Sequence, residues 1–447
     1  MNEREIVLEI LSAVLERGEY SHLLLQAVLD KYAYLDKRQR AFISRLTEGV
    51  LERKISLDYV LNHYSRTPVR KMKPMIRNSL RMGLYQLLYM EAVPDSAACN
   101  ESVKLISRRY SPLKGFVNGL LRNIARHRQE ALSLLEGAPL DIRYSMPAWL
   151  TEAWLDRFGR EECERIFRAF LAPKRTCIRT NLAKTSTENL IRRLKEEGLA
   201  VIQAEKPEYA LYISGYDSLQ GLATYQEGLF YVQDISSMLV ADRAPVRRGD
   251  RVLDVCAAPG GKSLHMAERL AHLEAERGIS DPGAGPKVVP KAGPEGTVLA
   301  RDLTERKLER IRENIARSHL DNISAQVYDA RVDDPSSHGA YDIVLADLPC
   351  SGLGVIGRKP EIRYRLQEED LASLAGLQRE ILSVVKNYVK PGGTLIYSTC
   401  TISRQENEDN ADYFLAQNRD FHRLSQEQIL PDESGVDGFF IAVFRRA

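Results

Sequence analysis

The chain is poor in the features that would tie it to a secreted, membrane or metal-dependent class. Its six cysteines (Cys99, Cys163, Cys177, Cys256, Cys350 and Cys400) include no CxxC pair. That pattern argues against a disulfide framework or a zinc site, and for a reduced, cytoplasmic compartment. Eight histidines are scattered through 447 residues, so no metal is expected. No apolar run approaches the roughly 18 residues of a membrane span. The opening MNEREIVLEILSAVLERGEY sets acids among its apolar positions, unlike a signal peptide. With 44% hydrophobic and 28% charged residues, the composition is that of a globular protein long enough for two to four domains.

Net charge is also small, only +2, but it is unevenly spread. Residues 66–128 hold thirteen Lys/Arg against Glu91, Asp95 and Glu101, an excess of ten, so the remainder carries −8. One strongly basic stretch in a near-neutral chain suggests a polyanion partner, most simply RNA or DNA.

Three regions follow along the chain. Residues 1–140 read as helices, with Ile6/Val7, Ile10/Leu11 and Val14/Leu15, then Leu80, Leu84, Leu87 and Leu88, at helical spacing. Residues 141–245 mix short strands and helices, which predicts a small α+β module with Trp149 and Trp154 in the core. Arg175, Arg179 and Lys184 there could reach phosphates. Residues 246–447 alternate strand and helix, the pattern of an α/β doubly wound sheet. The expected strands are RVLDVC (251–256), TVLARD (297–302), SAQVYD (324–329), YDIVLAD (341–347) and GTLIYSTC (393–400), with GFFIAVFRR (438–446) running antiparallel. The Gly/Pro-rich stretch 273–296 reads as an insertion without catalytic importance.

Ligands of open α/β sheets lie beyond the carboxyl ends of the strands. The first strand here runs into DVCAAPGGKS, a turn that opens a helix. Cys256 stands where a Walker loop needs its first glycine, and Pro259 lacks an N–H, so a triphosphate is excluded. A carboxylate suits the turn better. Asp302 can accept from two ribose hydroxyls and Asp329 from an adenine amino group. Together they outline an adenosine-shaped pocket that fits S-adenosylmethionine. Cys350 and Cys400 end neighbouring strands, Cys350 close to Asp347, which favours chemistry over packing for both thiols. Lys262 is a candidate to hold the cofactor or set local charge.

The motifs LDVCAAPGGK, DLPCSGLGVIGRKPEIRY and YSTCTISRQENE resemble the signatures of the RNA cytosine-5 methyltransferase family. The stretch 76–126, with NESVKL and FVNGLLR, resembles a NusB-type RNA-binding domain. In that combination the chain is similar to the bacterial 16S ribosomal RNA group of the Sun/Fmu type. The resemblance implies an all-α NusB-like domain, an RNA-binding middle module and a Rossmann-like S-adenosylmethionine-dependent domain. It implies Cys400 as the nucleophile toward cytosine C6, Asp347 as the group at ring nitrogen 3, and Cys350 as the thiol assisting release. By the same resemblance Cys256, Ala257, Ala258, Pro259, Gly260, Gly261, Lys262, Asp302, Asp329 and Asp347 surround the cofactor. GRKPEIRYR (357–365) would meet RNA phosphates, and ENED after Cys400 would open a helix. The implied target is the cytosine at conventional position 967. A non-enzymatic antitermination factor, a cytosine-5 methyltransferase acting on another RNA, and a DNA enzyme using Cys350 as nucleophile are the alternatives. No DNA or membrane partner is expected, and a monomer is the default oligomeric state.

Overall fold

The computed structural model describes residues 2–32, 34–275 and 295–447, so most of the 273–296 insertion lies outside the described residues. The chain forms two compact units, one of residues up to 172 plus 356–368, the other of 173–355 plus 369–447.

The first unit is helical. Its principal helices are Glu3–Arg17, Lys37–Glu52, Lys54–Tyr64, Pro74–Tyr89, Asp95–Ser107, Lys114–Arg126 and Ala148–Leu171. Helix Glu3–Arg17 starts on a reciprocal cap, Asn2 accepting from Glu5 N at 2.9 Å while Glu5 accepts from Asn2 N at 3.0 Å. Pro74–Tyr89 is buried almost all round, with Leu80, Leu84, Leu87 and Leu88 in the core. Its buried Arg81 is satisfied by donating twice to Asp58 of a neighbouring helix at 2.7 Å and once to Asn78 of its own helix. Trp154 packs among Phe158, Phe167 and Phe170, a core role as expected.

Residues 356–368 complete this unit. Glu361 accepts from Ser21 N at 3.0 Å and Ser21 Oγ at 2.6 Å. Arg363 is buried and donates to the Glu52 carbonyl, Tyr364 to the Leu51 carbonyl, and Arg365 to the Glu19 carbonyl. The expectation that 357–365 faces phosphates therefore fails for Arg363 and Arg365. Carbonyl oxygens inside the helical unit take their hydrogens.

The second unit holds two sheets. β1 (Thr176–Thr180), β2 (Ala200–Gln203), β3 (Ala210–Ser214) and β4 (Phe230–Val232) form a four-stranded sheet in the order β2-β3-β1-β4, backed by helix Thr187–Glu196. Its strand pairs β1–β3, β1–β4 and β2–β3 are antiparallel. This is the α+β module, and its core is Ile178, Leu190, Leu194, Leu211, Ile213 and Phe230.

The larger sheet contains β5 (Arg251–Asp254), β6 (Thr297–Asp302), β7 (Ile323–Val327), β8 (Tyr341–Asp347), β9 (Val389–Thr399), β10 (Phe421–Ile429) and β11 (Phe439–Arg446). The order is β10-β11-β9-β8-β5-β6-β7. β5 to β9 run parallel, and β11 enters antiparallel to both β9 and β10, as the close spacing of the last strands predicts. Chain order reverses between β5 and β8, which opens a crevice at their carboxyl ends. Val252, Leu253, Val344, Leu345, Leu395 and Ile396 are fully buried, since helices cover both faces of such a sheet.

Candidate active site

β5 ends at Asp254, and the chain turns into helix Gly261–Ala275. Gly260 sits at φ +103°, a conformation that L side chains rarely adopt. Asp254 is buried and braces this turn, accepting from Ser263 Oγ at 2.6 Å and from Cys256 N at 3.4 Å. Burial pushes its carboxyl up to about 7; the Ser263 hydrogen bond opposes the rise and the Asp347 charge adds to it. Burial, then the charges of Asp254, Asp302 and Asp347, drive the Cys256 thiol far upward. Cys256 therefore stays protonated and belongs to the turn, not to the nucleophilic chemistry.

Asp302, at the end of β6, is buried as well. One oxygen accepts from Ala258 N at 2.9 Å, the other from Leu303 N at 2.7 Å and Lys307 Nζ at 2.9 Å. Of a carboxylate's roughly four acceptor sites three are taken. That leaves room for one ribose hydroxyl rather than the two expected. β7 stops at Val327, so Asp329 lies in the loop two residues beyond the strand, not at its end. It accepts from Arg331 N and Nε at 3.0 Å and Nη2 at 2.7 Å, which holds its carboxyl below the usual range. An adenine amino group would have to displace Arg331 there. The half-exposed Leu303 beside Asp302 offers an apolar surface to a flat base. A close-approach turn at a helix N-terminus, one open acceptor and an apolar shelf fit S-adenosylmethionine.

Cys350 lies in the loop after β8, and Cys400 is the first residue past β9. β8 and β9 are paired in parallel with Asp347 opposite Ser398. This register brings the two Sγ atoms to 3.2 Å, without a disulfide. Donation of its S–H to Cys400, then burial, raises the Cys350 thiol. Asp347 accepts from Lys262 Nζ at 2.7 Å on one oxygen and from Ser398 Oγ at 2.7 Å on the other. Burial alone would lower the Lys262 ammonium, but Asp347, then Asp254 and Cys400, more than offset it and leave the pKa raised. A charged lysine thus stands within electrostatic reach of Cys400, the setting that favours a thiolate.

The structure gathers Cys350, Cys400, Asp347, Lys262 and the turn 256–262 at one crevice. Three contributors carry no signal that sequence reasoning used. Ser398 hides inside an apolar strand. Gly354 approaches Cys400 closely, its N–H donating to the Cys400 carbonyl at 3.0 Å. Glu406 is buried behind the thiols, whereas the helix expected from ENED begins only at Glu408. Arg179 is a correction: it is buried, bonded to Glu268 and to Gln233 Oε1 at 2.8 Å, and faces no phosphate. Lys184 is exposed and donates to the Glu227 carbonyl at 2.7 Å.

A reversed-order parallel sheet with an antiparallel β11 and a Gly-rich turn at its crevice is a methyltransferase architecture. The model of the 16S rRNA methyltransferase RsmB/F family matches residues 282–445, that of the NusB family residues 1–126, and that of the RsmF/B-like ferredoxin-like domain residues 146–218. The probable ribosomal RNA small subunit methyltransferase B of Bacillus subtilis (strain 168) is 35% identical over 464 residues, covering 99% of this chain and 98% of its own. The ribosomal RNA small subunit methyltransferase B of Proteus mirabilis (strain HI4320) is 30% identical over 448 residues, covering 100% and 99%. The crystal structure of PH0851 superposes with a TM-score of 0.79 at 24% identity over 100% of this chain and 99% of its own, a likeness of fold. The chain belongs to the 16S rRNA methyltransferase RsmB/F family, with a NusB domain ahead of a ferredoxin-like module and the methyltransferase domain.

Proposed function

We propose that this chain methylates carbon 5 of one cytosine in small-subunit (16S) ribosomal RNA, by family resemblance the cytosine at conventional position 967. S-adenosylmethionine, held by the turn 256–262 and Asp302, supplies an electrophilic methyl group. The work is divided among a helical RNA-binding region (1–140), a middle RNA-binding module (141–245) and a catalytic domain (246–447), acting in the cytoplasm.

Carbon 5 of cytosine is a weak nucleophile. Addition of the Cys400 thiolate to carbon 6 forms a C–S bond and leaves an enamine whose carbon 5 can take the methyl group. Charge develops on ring nitrogen 3, where Asp347 acts. That role needs a proton on the carboxylate or shared with the base. Loss of the carbon 5 proton to water then re-forms the C5–C6 double bond from the C–H electron pair, breaks the C–S bond and expels Cys400 as a thiolate, with Cys350 assisting. The observation that carries this reading is the 3.2 Å pair of thiols at the ends of β8 and β9, with Asp347 on the same edge.

Trapping on RNA containing 5-fluorocytosine tests it, because fluorine cannot leave as a proton does. A covalent adduct should form with the unsubstituted protein and vanish in Cys400→Ser. An adduct that persists there but is lost in Cys350→Ser would reverse the two roles. Comparing 5-methylcytosine in ribosomal RNA with and without the protein identifies the target.

A further inference from the structure

Behind the two thiols lies a polar cluster that the chemistry above does not use. Glu406 is fully buried and makes no ion pair among the described residues. One of its oxygens accepts from Ser351 N at 2.8 Å and Gln378 Nε2 at 3.1 Å. The other accepts from Ser351 Oγ at 2.5 Å and Thr401 Oγ1 at 3.4 Å. Ser351 follows Cys350, and Thr401 follows Cys400, so a single carboxylate joins the neighbours of both thiols. Ser351 Oγ and Thr401 Oγ1 also lie 2.8 Å apart. Asn407 continues the cluster around Cys400: its Oδ1 accepts from Thr399 Oγ1 at 2.6 Å, and its Nδ2 donates to the Thr401 carbonyl at 2.9 Å and to Gln428 Oε1 at 2.7 Å. Cys400 is therefore held on both flanks by one amide. Gln378 extends the brace to the other thiol, donating to the Pro349 carbonyl at 2.9 Å.

A buried carboxylate without a cation is costly unless its acceptor sites are filled. A cluster that served only to fill space would be cheaper in apolar residues. Here every donor but Gln378 comes from a residue adjacent to a reactive thiol, and Gln378 itself holds the residue before Cys350. We propose that Glu406 and Asn407 are positioning residues that fix the separation and aim of the two sulfurs. The proposal rests on the reading of Cys400 and Cys350 as the working pair. Glu406 also places a negative charge on the Cys350 side, while Lys262 stands on the Cys400 side. The Glu406 charge adds to the rise of the Cys350 thiol, which the hydrogen bond to Cys400 and burial lead.

Two measurements on the full chain test this. The first is steady-state methylation of unmodified ribosomal RNA. Glu406→Ala and Asn407→Ala should each lower kcat by about 100-fold, as a misplacement near 1 Å does, with KM for donor and RNA within about twofold. Glu406→Gln, which keeps the shape and much of the bonding, should recover most of kcat. The second is closure of the Cys350–Cys400 disulfide by diamide without RNA, in which both thiols are oxidised and the diamide is reduced to its hydrazine. Closure should slow markedly in Glu406→Ala, while single-thiol alkylation stays near its usual rate. Closure at the unsubstituted rate in Glu406→Ala and Asn407→Ala would overturn the proposal, as would equal loss of donor affinity and kcat. The closure assay reads sulfur geometry alone. A failed 5-fluorocytosine trap beside slowed closure would therefore sink the chemical reading and leave the positioning role standing.

Discussion

Lys262 and Asp347 form a 2.7 Å ion pair across the crevice, joining the turn after β5 to the end of β8. Both side chains are largely shielded, at 13% and 26% exposure, and Cys400 lies close enough to feel the ammonium. The pair thereby links the Gly-rich turn after β5 to the surroundings of Cys400.

Removing the lysine's charge should blunt that thiol. Lys262→Met is expected to slow iodoacetamide alkylation of Cys400 at pH 7 by about tenfold, since an ammonium beside a thiol favours its thiolate. Cys350, already held as a thiol, should change little. Mass spectrometry of the two cysteine peptides over time measures both rates, and equal rates in both proteins would detach Lys262 from Cys400.

Asp254 should give stability an unusual pH dependence. Its folded-state carboxyl is raised to about 7, whereas the unfolded chain holds that proton only to about pH 3.9. The folded form binds the proton more tightly, so this group's contribution is complete below about pH 4 and is lost as pH rises toward 7. Asp254→Asn, which cannot ionise, should lack that decline. Urea midpoints between pH 4.5 and 7.5 check it: the variant's midpoint, relative to that of the unsubstituted protein, should climb with pH.

Gly354 leaves no space for a side chain. A Cβ there would overlap the Gly438 carbonyl and stand 2.9 Å from the Cys400 carbonyl. Gly354→Ala must therefore push the Cys400 loop off its seat. A loss of about 100-fold in kcat and about 1–3 kcal/mol of stability is expected. Activity assays beside a denaturant melt read the two effects, and Gly376→Ala, with nothing near its added Cβ, is the control.

Exposed cations of the helical unit, among them Arg70, Lys71, Arg108, Arg109 and Lys114, make no ion pair among the described residues. If they contact RNA phosphates, log K should fall linearly with log salt, with a slope of about 0.7 for each single-strand phosphate contact. Arg108→Ala with Arg109→Ala should flatten that slope by about 1.4. Filter binding from 50 to 200 mM salt measures it, and an unchanged slope would place the RNA elsewhere.

Much of this was legible in the sequence. Ligands of open α/β sheets lie beyond the carboxyl ends of the strands, so Asp302, Asp347, Cys350 and Cys400 stood out at the ends of apolar runs. Helical spacing marked the first unit, and close spacing marked the antiparallel β11. The illegible parts depend on which neighbour a polar group finds in three dimensions. Arg179 and Arg363 read as surface cations because nothing local reveals Glu268 or the Glu52 carbonyl. Asp329 read as free because the reach of Arg331 depends on a loop conformation. Glu406 read as a helix opener because its partners, Ser351 and Gln378, are 55 and 28 residues away.

The thirteen residues 356–368 have a practical bearing on any attempt to dissect the protein. Because they are woven into the helical unit, scission at 172 is expected to destabilise the N-terminal fragment. An N-terminal piece would leave Ser21 and the Glu52 carbonyl without the groups that meet them. The complementary piece would keep Glu361 and Arg363 bereft of their hosts. Separately expressed halves are therefore expected to misbehave alone and to regain order when mixed, unless the thirteen-residue strap is supplied to the first half as a peptide.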